Sequence, residues 1–324
     1  MAELIANLEP GNPVPCPPEP CSEEEVMVNW RGDPDKPLVS IVCLTYNHAS
    51  FIEDALNGFL MQKTNFPFEI IVHDDASTDG TIEILRNYYA RFPSLFKLFI
   101  QKENQYQKGI GPLGFAFSHA IGKYIAFCEG DDYWIDVEKI FKQVSFLEEN
   151  SGISVVYTNA IAFSENKFLN KDFGGSRIDL TSNELKKAPG IFTLTTCFRN
   201  ILDNPIEQNY VVYGDQFIWS RLGKFGSGKY MHDILPSFYR VHPGGIHSLA
   251  SNEARLFNKL KSFVAMSSYY KRTGEVLLEK HFLEKALEIA ISMSGISLKL
   301  VPAMNKISKT IKKLKKISKY FFNN

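Results

Sequence analysis

The sequence of 324 residues predicts an α/β fold in which an open, mostly parallel β-sheet carries helices on both faces. Two observations predict this fold. Continuous apolar, β-branched runs alternate with segments of helical periodicity over roughly 120 residues, a pattern typical of strands covered on both faces. Acidic or polar residues follow directly after several of these runs, at the strand ends where such sheets bind ligands.

The first strand is predicted over 37–47, where "PLVSIVCLTYN" is almost entirely apolar or β-branched. The helix "FIEDALNGFLMQ" follows at 51–62, and "FEIIVHDD" at 68–75 is a second buried strand. A helix over 77–92 comes next, with Ser77 or Thr78 as its predicted N-cap. The remaining predicted elements are a strand at 97–101, a Gly-interrupted helix near 111–121, a strand at 123–132, a helix at 137–149 and a strand at 153–159.

Two acidic clusters lie at strand ends, "HDDASTDGT" with Asp74 and Asp75, and "EGDDYW" with Asp131 and Asp132. Adjacent carboxylates repel each other unless a cation shares them, and Mg²⁺ or Mn²⁺ combines carboxylates with substrate phosphates. A solvated turn with helix-capping aspartates is the alternative interpretation of Asp131 and Asp132. Asp75 could accept hydrogen bonds from a base or a ribose. The chain lacks both G-x-G-x-x-G and G-x-x-x-x-G-K-[ST], which argues against dinucleotide and P-loop binding.

The cysteine and histidine residues show no metal-binding spacing. Five scattered cysteines without a C-x-x-C pair indicate neither a zinc site nor a disulfide framework, and they fit a reducing cytoplasm. None of the seven histidines forms H-E-x-x-H, so we expect most of them to be structural or exposed to solvent. His242 is the exception, because it lies in a Pro-Gly-Gly loop after a strand-like segment.

Four ordered motifs carry a resemblance to a known family. They are "VSIVCLTYNHASFIEDALNGFLMQ", "FEIIVHDDASTDGT", "GKYIAFCEGDDYW" and "YGDQFIW". Together they resemble family 2 glycosyltransferases of the Rossmann-like GT-A fold. The segments "EGDDYW" and "YRVHPGGIHS" are similar to those of bacterial members that assemble cell-surface polysaccharides of the O-antigen or capsule type. The resemblance covers about 37–250 and implies a nucleoside-diphosphate sugar as donor, a UDP-sugar being the first expectation.

The resemblance implies a nucleotide site at the ends of the first two strands. Thr45, Tyr46 and Asn47 match the segment that holds the base, with Tyr46 placed to stack on it. Asp75 matches the carboxylate that recognises the base, and Asp74 lies beside it.

The resemblance also implies roles for the later motifs. Asp131 and Asp132 match the acidic motif that binds the ribose and, through Mn²⁺ or Mg²⁺, the diphosphate. His242 matches a position that helps to hold the metal in some GT-A enzymes. Asp215 matches the general base that takes a proton from the acceptor hydroxyl, and its alternative role is that of a helix N-cap. A single base and in-line displacement would invert the anomeric centre.

The predicted activity is therefore transfer of a sugar to a hydroxyl of a glycan or lipid-linked glycan. A sugar-1-phosphate nucleotidyltransferase and a non-catalytic nucleotide-sugar-binding protein are the alternatives. The first alternative usually has a Gly-rich, basic loop after the first strand, where this chain has "TYNHASF". We expect no nucleic-acid partner.

The chain is predicted to have three parts: a flexible Pro-rich leader over 1–36, the GT-A domain over 37–250 and a helical extension over 251–324. The 36 basic and 36 acidic residues cancel, yet from Ile289 to Asn324 the chain has eight lysines and no acidic residue. Apolar residues recur there at helical spacing. This basic amphipathic helix would either pack on the domain or contact the inner face of the cell membrane, which predicts a peripheral cytoplasmic protein.

Overall fold

The computed structural model describes residues 8–20, 22–108, 111–201, 203–245 and 251–293. The strands within these ranges are β1 (Val39–Thr45), β2 (Phe68–Asp74), β3 (Phe96–Ile100), β4 (Tyr124–Phe127), β5 (Ile153–Tyr157), β6 (Ala160–Ser164), β7 (Lys167–Phe168), β8 (Cys197–Arg199), β9 (Ser227–Tyr230) and β10 (Ser237–Arg240).

The α-helices within the same ranges are α1 (Glu23–Met27), α2 (Ile52–Leu60), α3 (Thr81–Arg91), α4 (Pro112–Ser118), α5 (Lys139–Glu149), α6 (Ser182–Leu185), α7 (Gly214–Leu222), α8 (Asn252–Arg272) and α9 (Val276–Met293). Two short 3₁₀ helices cover Thr193–Thr195 and Ile206–Tyr210.

The main sheet has seven strands in the order β3-β2-β1-β4-β8-β5-β9. Strands β3, β2, β1 and β4 are parallel, whereas β8 runs antiparallel to both of its neighbours, and β9 is parallel to β5. The predicted α/β class is therefore confirmed. The sequence prediction did not include β8, a strand of three residues that the local pattern does not distinguish from a loop.

The central strands are buried on both faces, as their continuous apolar runs predict. Ile41 and Val72 pack on one face with residues of α2, α3 and α5. Val42 and Ile71, each next in sequence to one of these residues, pack on the opposite face with residues of α4, α6 and α7. This alternation places helices on both sides of the sheet and leaves the strand ends as the edge available to a ligand.

Helix α3 begins later than the sequence suggested. Its first residue is Thr81 and its N-cap is Gly80, with a φ of 102°. The predicted capping role of Ser77 or Thr78 is therefore wrong. Asp79 instead accepts a hydrogen bond from the Thr81 backbone N–H at 3.0 Å. This moves Ser77 and Thr78 out of the helix and into the loop that follows β2.

A second, three-stranded sheet has the order β10-β6-β7 and was not predicted. Part of the predicted flexible leader packs against it: the Val14 backbone N–H donates to the Asn166 carbonyl at 3.0 Å, and Val14 lies in a buried cluster with Phe168. Helix α1 has a capping box between Ser22 and Glu25. These described parts of the leader pack against the body, where Val14 and Val26 are buried.

Helices α8 and α9 pack against each other and against α7. Phe217 of α7 lies in one buried cluster with Tyr269 and Tyr270 of α8 and Phe282 of α9. The helical extension is thus present as far as Met293, whereas the basic amphipathic helix lies outside the described residues. In the described part of the chain, none of the helices has the length and apolar character needed to cross a membrane.

Candidate active site

The carboxyl ends of β2, β1 and β4 lie side by side, because these strands are adjacent and parallel. The Asp75 backbone N–H donates to the Thr45 carbonyl at 3.0 Å, and the Gly130 N–H donates to the Leu44 carbonyl at 2.9 Å. Both acidic segments therefore meet the end of β1. The predicted convergence of the polar strand ends on one crevice is present in the structure.

The loops after β1 and β2 are joined through Asn47. Its backbone has a φ of 54°, and its N–H donates to Ser77 Oγ at 2.8 Å. The Asn47 side-chain oxygen accepts from the Thr78 N–H at 2.8 Å, and the Asp74 carboxylate accepts from the Ser77 N–H at 2.9 Å. Burial raises the pKa of Asp74, and its hydrogen bonds from Ser77 partly offset this. Asn47 and Asp74 thus hold the loops after β1 and β2 together.

Asp75 faces a different loop, the one after β3. Its two carboxylate oxygens accept backbone hydrogen bonds from Gln105 at 2.7 Å and Tyr106 at 3.0 Å. Tyr46, in contrast, is 39% exposed beside the end of β1. Tyr46 is therefore partly accessible at this edge, whereas any further hydrogen bond to Asp75 must use a second lone pair of its oxygens. The contacts of Gln105 and Tyr106 with Asp75 could not be predicted from local patterns, because about 30 residues separate them in the chain.

Thr45 lies where β1 meets the acidic turn, the segment 129–132 that follows β4. Its Oγ1 is buried, and among the described residues it has no hydrogen-bond partner. A Cβ added to Gly130 would lie 2.9 Å from Thr45 Oγ1 and 2.7 Å from Ile52 Cδ1. The absence of a side chain at Gly130 thus lets the acidic turn approach β1 closely, and Thr45 Oγ1 retains an unused hydrogen-bonding group at the crevice.

The acidic turn concentrates three carboxyl groups. Asp132 Oδ1 accepts from the Arg240 backbone N–H at 2.8 Å, and the Glu129 carboxyl accepts from Thr193 Oγ1 at 2.8 Å. Burial, Asp131 and Glu129 raise the pKa of Asp132, and burial together with Asp131 raises the pKa of Glu129 to about 8. Burial alone would raise the pKa of Asp131, but the hydrogen bond from His242 and the two nearby histidines lower it. Asp131 is thus the carboxyl of this turn whose charged form its neighbours favour.

Two imidazoles face Asp131. His242 Nε2 lies 3.0 Å and His48 Nε2 lies 3.8 Å from Asp131 Oδ2. These ligand atoms all lie within 4.8 Å of one another, close enough to share one metal ion. His48 Nδ1 is buried without a hydrogen-bond partner among the described residues, and burial lowers the pKa of this histidine. A largely neutral, buried imidazole next to a charged carboxylate fits a divalent cation.

This cluster differs from the metal ligands expected from the sequence. Asp131 and His242 belong to it, but its third member is His48, which was expected to be structural or exposed. Asp132 instead binds the backbone of β10. His48 could not be identified from sequence spacing, because the fold alone brings it next to Asp131 and His242.

Arg240 fixes the acidic turn from the second sheet. Its Nε donates to the Asp131 carbonyl at 2.8 Å, and its Nη2 donates to Asp54 at 2.6 Å. Its guanidinium lies 4.7 Å from the ring centre of Phe51 and 4.5 Å from that of Phe163. The sequence analysis missed this residue, which connects β10, α2 and the acidic turn.

Asp215 is the second residue of α7 and lies near the acidic turn, since its charge contributes to the raised pKa of Glu129. Burial raises the pKa of Asp215 to about 6. Tyr213 occupies the N-cap position of α7, but its side chain makes no capping hydrogen bond. Asp215 is thus a carboxyl group of raised pKa near the start of a helix, a property that suits the predicted role of general base.

The fold and the site define a class of α/β protein with an open, mostly parallel sheet and a polar, acidic crevice at the carboxyl ends of its strands, where such sheets bind ligands. The sequence profile described as "Glycosyl transferase family 2" matches residues 40–208. Relatives from Mycobacterium bovis and Mycobacterium tuberculosis are 33% identical over 224 residues, which cover 68% of this chain and 63% of theirs. The chain therefore belongs to glycosyltransferase family 2, as the four motifs indicated.

Other similar proteins are named for an activity or have solved structures. WfgD of Escherichia coli, "UDP-Glc:alpha-D-GlcNAc-diphosphoundecaprenol beta-1,3-glucosyltransferase", is 33% identical over 234 residues, which cover 71% of this chain and 88% of WfgD. Staphylococcus aureus TarS 1–349 with UDP-GlcNAc has a TM-score of 0.51 and 20% identity, covering 70% of this chain and 66% of TarS. PcManGT of Pyrobaculum calidifontis with GDP-Man and Mn²⁺ has a TM-score of 0.50 and 17% identity, covering 90% of this chain and 85% of PcManGT. The two structures show a shared fold.

Proposed function

We propose that this protein is an inverting, metal-dependent glycosyltransferase that moves a sugar from a nucleoside-diphosphate donor to a hydroxyl of a glycan or lipid-linked glycan in cell-surface polysaccharide synthesis. The observation that carries the proposal is the His48–Asp131–His242 cluster at the carboxyl ends of the strands, together with Asp215, whose pKa is raised and whose charge acts on Glu129 of the same acidic turn. Family membership favours glycosyl transfer over nucleotidyl transfer.

The donor is proposed to lie across the ends of β1 and β2. The exposed ring of Tyr46 stacks on the base, and the Thr45 hydroxyl and the remaining lone pairs of Asp75 bind its polar edge or the ribose. Asn47 and Asp74 support this edge by fixing its loops. A UDP-sugar is the preferred donor, because WfgD, which is 33% identical to this chain, is named for the use of UDP-Glc.

The metal is proposed to bind between His48, Asp131 and His242. Two imidazole nitrogens and one carboxylate oxygen favour Mn²⁺ over Mg²⁺, which prefers oxygen ligands alone. When bound, the metal would offset the charge that develops on the leaving diphosphate. Asp132 and Arg240 are proposed to support this site indirectly, because their hydrogen bonds hold the turn that contains Asp131.

Asp215 is proposed to remove the proton from the acceptor hydroxyl as the hydroxyl attacks the anomeric carbon. Its pKa of about 6 leaves the carboxylate charged at neutral pH and makes it more basic than an ordinary aspartate. Attack from the face opposite to the diphosphate would invert the configuration. The acceptor is proposed to be lipid-linked, as the name of WfgD states for that protein, and the protein to act at the inner face of the membrane.

The test combines ligand-induced stabilisation with turnover. UDP and UDP-sugars should raise the melting temperature in the presence of Mn²⁺, because a ligand that binds only the native state stabilises it. Release of UDP from UDP-Glc should then require Mn²⁺ and should increase when a GlcNAc-diphosphate lipid is added. The proposed function would be rejected if no nucleoside-diphosphate sugar stabilised the protein and none released its nucleotide.

A further inference from the structure

A cleft of about 250 Å³ opens next to the acidic turn, between β6, the segment 169–174 and two aromatic side chains. The aromatic side chains are Phe192 and Tyr239, whose ring centres lie 5.4 Å apart, and both are partly exposed. The cleft is smaller than the pockets of about 300–1,000 Å³ that enclose drug-sized ligands. Its size therefore suits one sugar unit of a longer ligand.

The inner wall of this cleft is shared with the acidic turn. Thr193 follows Phe192 directly and donates its hydroxyl hydrogen bond to Glu129 at 2.8 Å. Tyr239 lies between Phe238, whose carbonyl accepts from the Tyr133 N–H at 3.2 Å, and Arg240, whose N–H binds Asp132. Burial and the three carboxylates of the turn together raise the pKa of Tyr239. A ligand seated on these two rings would therefore lie beside the proposed metal site.

The outer wall adds a third ring and a cation. Phe173 approaches Tyr239 edge-on, with ring centres 5.6 Å apart, and Lys171 Nζ lies 4.5 Å from the Phe173 ring centre. The floor is formed by small residues of β6, including Ala160 and Ala162. An apolar wall with a few polar groups at the rim is typical of sites that hold a ring with hydroxyl groups around it.

The charges of the lining leave one cation for a ligand. Arg177 forms a two-fold hydrogen-bonded ion pair with Asp172, with both N–O distances 2.8 Å, and it also binds Asn159 at 2.7 Å. Lys171 forms no ion pair with a carboxylate among the residues that the structure describes. The cleft thus combines stacking surfaces with a single available positive charge at its mouth.

We propose that this cleft binds the acceptor: its sugar packs against Phe173, Phe192 and Tyr239, and Lys171 faces a phosphate that links this sugar to its carrier. The inference rests on the proposed function, and it assigns a place and a chemical class to the acceptor. It also gives the direction of approach, from the second sheet toward Asp131 and Asp215.

The test uses Phe173→Ala and Lys171→Ala, two changes on the wall away from the acidic turn, and Phe257→Ala as a control. Phe257 is an aromatic residue of α8 that is 44% exposed and does not line the cleft. The acceptors are GlcNAc joined through a diphosphate to a short alkyl chain, and the same sugar as a simple alkyl glycoside. The readouts are acceptor KM, UDP release without acceptor, and affinity for UDP with Mn²⁺.

Phe173→Ala should raise the KM of both acceptors about tenfold, since about 1.4 kcal/mol of lost contact corresponds to that factor. Lys171→Ala should raise only the KM of the diphosphate acceptor, by a similar factor. In both variants, UDP affinity and acceptor-independent UDP release should stay within about twofold of the parent and of Phe257→Ala, because the changed side chains do not reach the donor.

Two results would overturn the inference: unchanged acceptor KM in both variants, or a loss of UDP affinity that exceeds the loss of acceptor affinity. Saturation-transfer NMR of the diphosphate acceptor, with the parent and with Phe173→Ala, makes the same comparison without turnover. Failure of the proposed function would look different, because the parent itself would then neither bind UDP nor release it from a donor.

Discussion

Replacing Asp215 with Asn should reduce transfer and increase stability in a pH-dependent way. Burial raises the pKa of Asp215 from 3.8 to about 6 in the folded protein. At about 1.36 kcal/mol for each pH unit, this difference means that the charged group destabilises the fold by about 3 kcal/mol at pH 7. Because Asp215 is partly exposed, solvent reduces this penalty, so about 3 kcal/mol is an upper limit.

The sign follows from the raised pKa. Well below pH 3.8 the carboxyl is protonated in both states and adds no penalty; the penalty grows as the pH rises from there and is complete only well above the folded-state pKa of about 6. Asn carries no charge, so Asp215→Asn should gain stability over the parent as the pH rises, by up to about 1.5 kcal/mol between pH 5 and pH 7.5. An effect of the Asn side chain on stability that does not depend on pH is the same at both pH values, so it cancels when the two stability differences are compared.

The assay is urea unfolding of both proteins at several pH values, together with transfer rates at pH 7.5. Transfer should fall by about 10²- to 10⁴-fold in Asp215→Asn, the usual effect of removing a positioned base, while UDP affinity is kept. Asp233→Asn, at an exposed position, is the matched control and should change neither quantity. A stability difference that is independent of pH would refute the argument from burial, and retained transfer would refute the role as base.

Three further outcomes are expected. His48→Ala should weaken Mn²⁺ binding about tenfold or more, measured by calorimetry without donor. The control His232→Ala, at an exposed position, should leave the affinity unchanged. Equal Mn²⁺ affinity in the two variants would remove His48 from the proposed metal site. Ser77→Ala removes the hydroxyl that donates to Asp74 and accepts from the Asn47 N–H, while the backbone bond from residue 77 to Asp74 remains. It should cost about 1–3 kcal/mol in urea unfolding, so an unchanged midpoint would contradict the proposed joining of the two loops. The full chain should sediment with vesicles containing phosphatidylglycerol and lose this binding in high salt, whereas a chain ending at Val301 should bind less; equal binding by both would exclude the predicted role of the lysine-rich segment.

Local patterns predicted the central part of the fold well. The continuous apolar runs that become β1 and β2 can be recognised because a strand buried on both faces needs apolar residues at successive positions. The acidic residues after them could be assigned to one crevice, because parallel neighbouring strands end at the same edge. The strands β6, β7, β8 and β10 have between two and five residues, too few to show a period, so the second sheet was not predicted.

The fine structure of the site depends on contacts between distant residues. His242 and Asp131 are 111 residues apart in sequence and 3.0 Å apart in space, and here the family resemblance supplied what spacing could not. His48 was missed because an isolated histidine after a strand carries no local sign of a distant partner. The capping of α3 was misjudged because Gly80 adopts a positive φ, which moves the helix start past Ser77 and Thr78. Local propensity cannot weigh such a turn against an ordinary cap.

A chain shortened to begin at Pro37 would lose a piece of the wall behind its own active site. Tyr133, which directly follows Asp132, donates its hydroxyl to the Pro15 carbonyl at 3.0 Å and shares a buried cluster with Val14. Removing these partners would expose the back of the acidic turn to water. The same cut would take Val26 and Trp30 from the core beside β2, so a preparation without the first 36 residues would misrepresent both the stability and the proposed cation site of the whole chain.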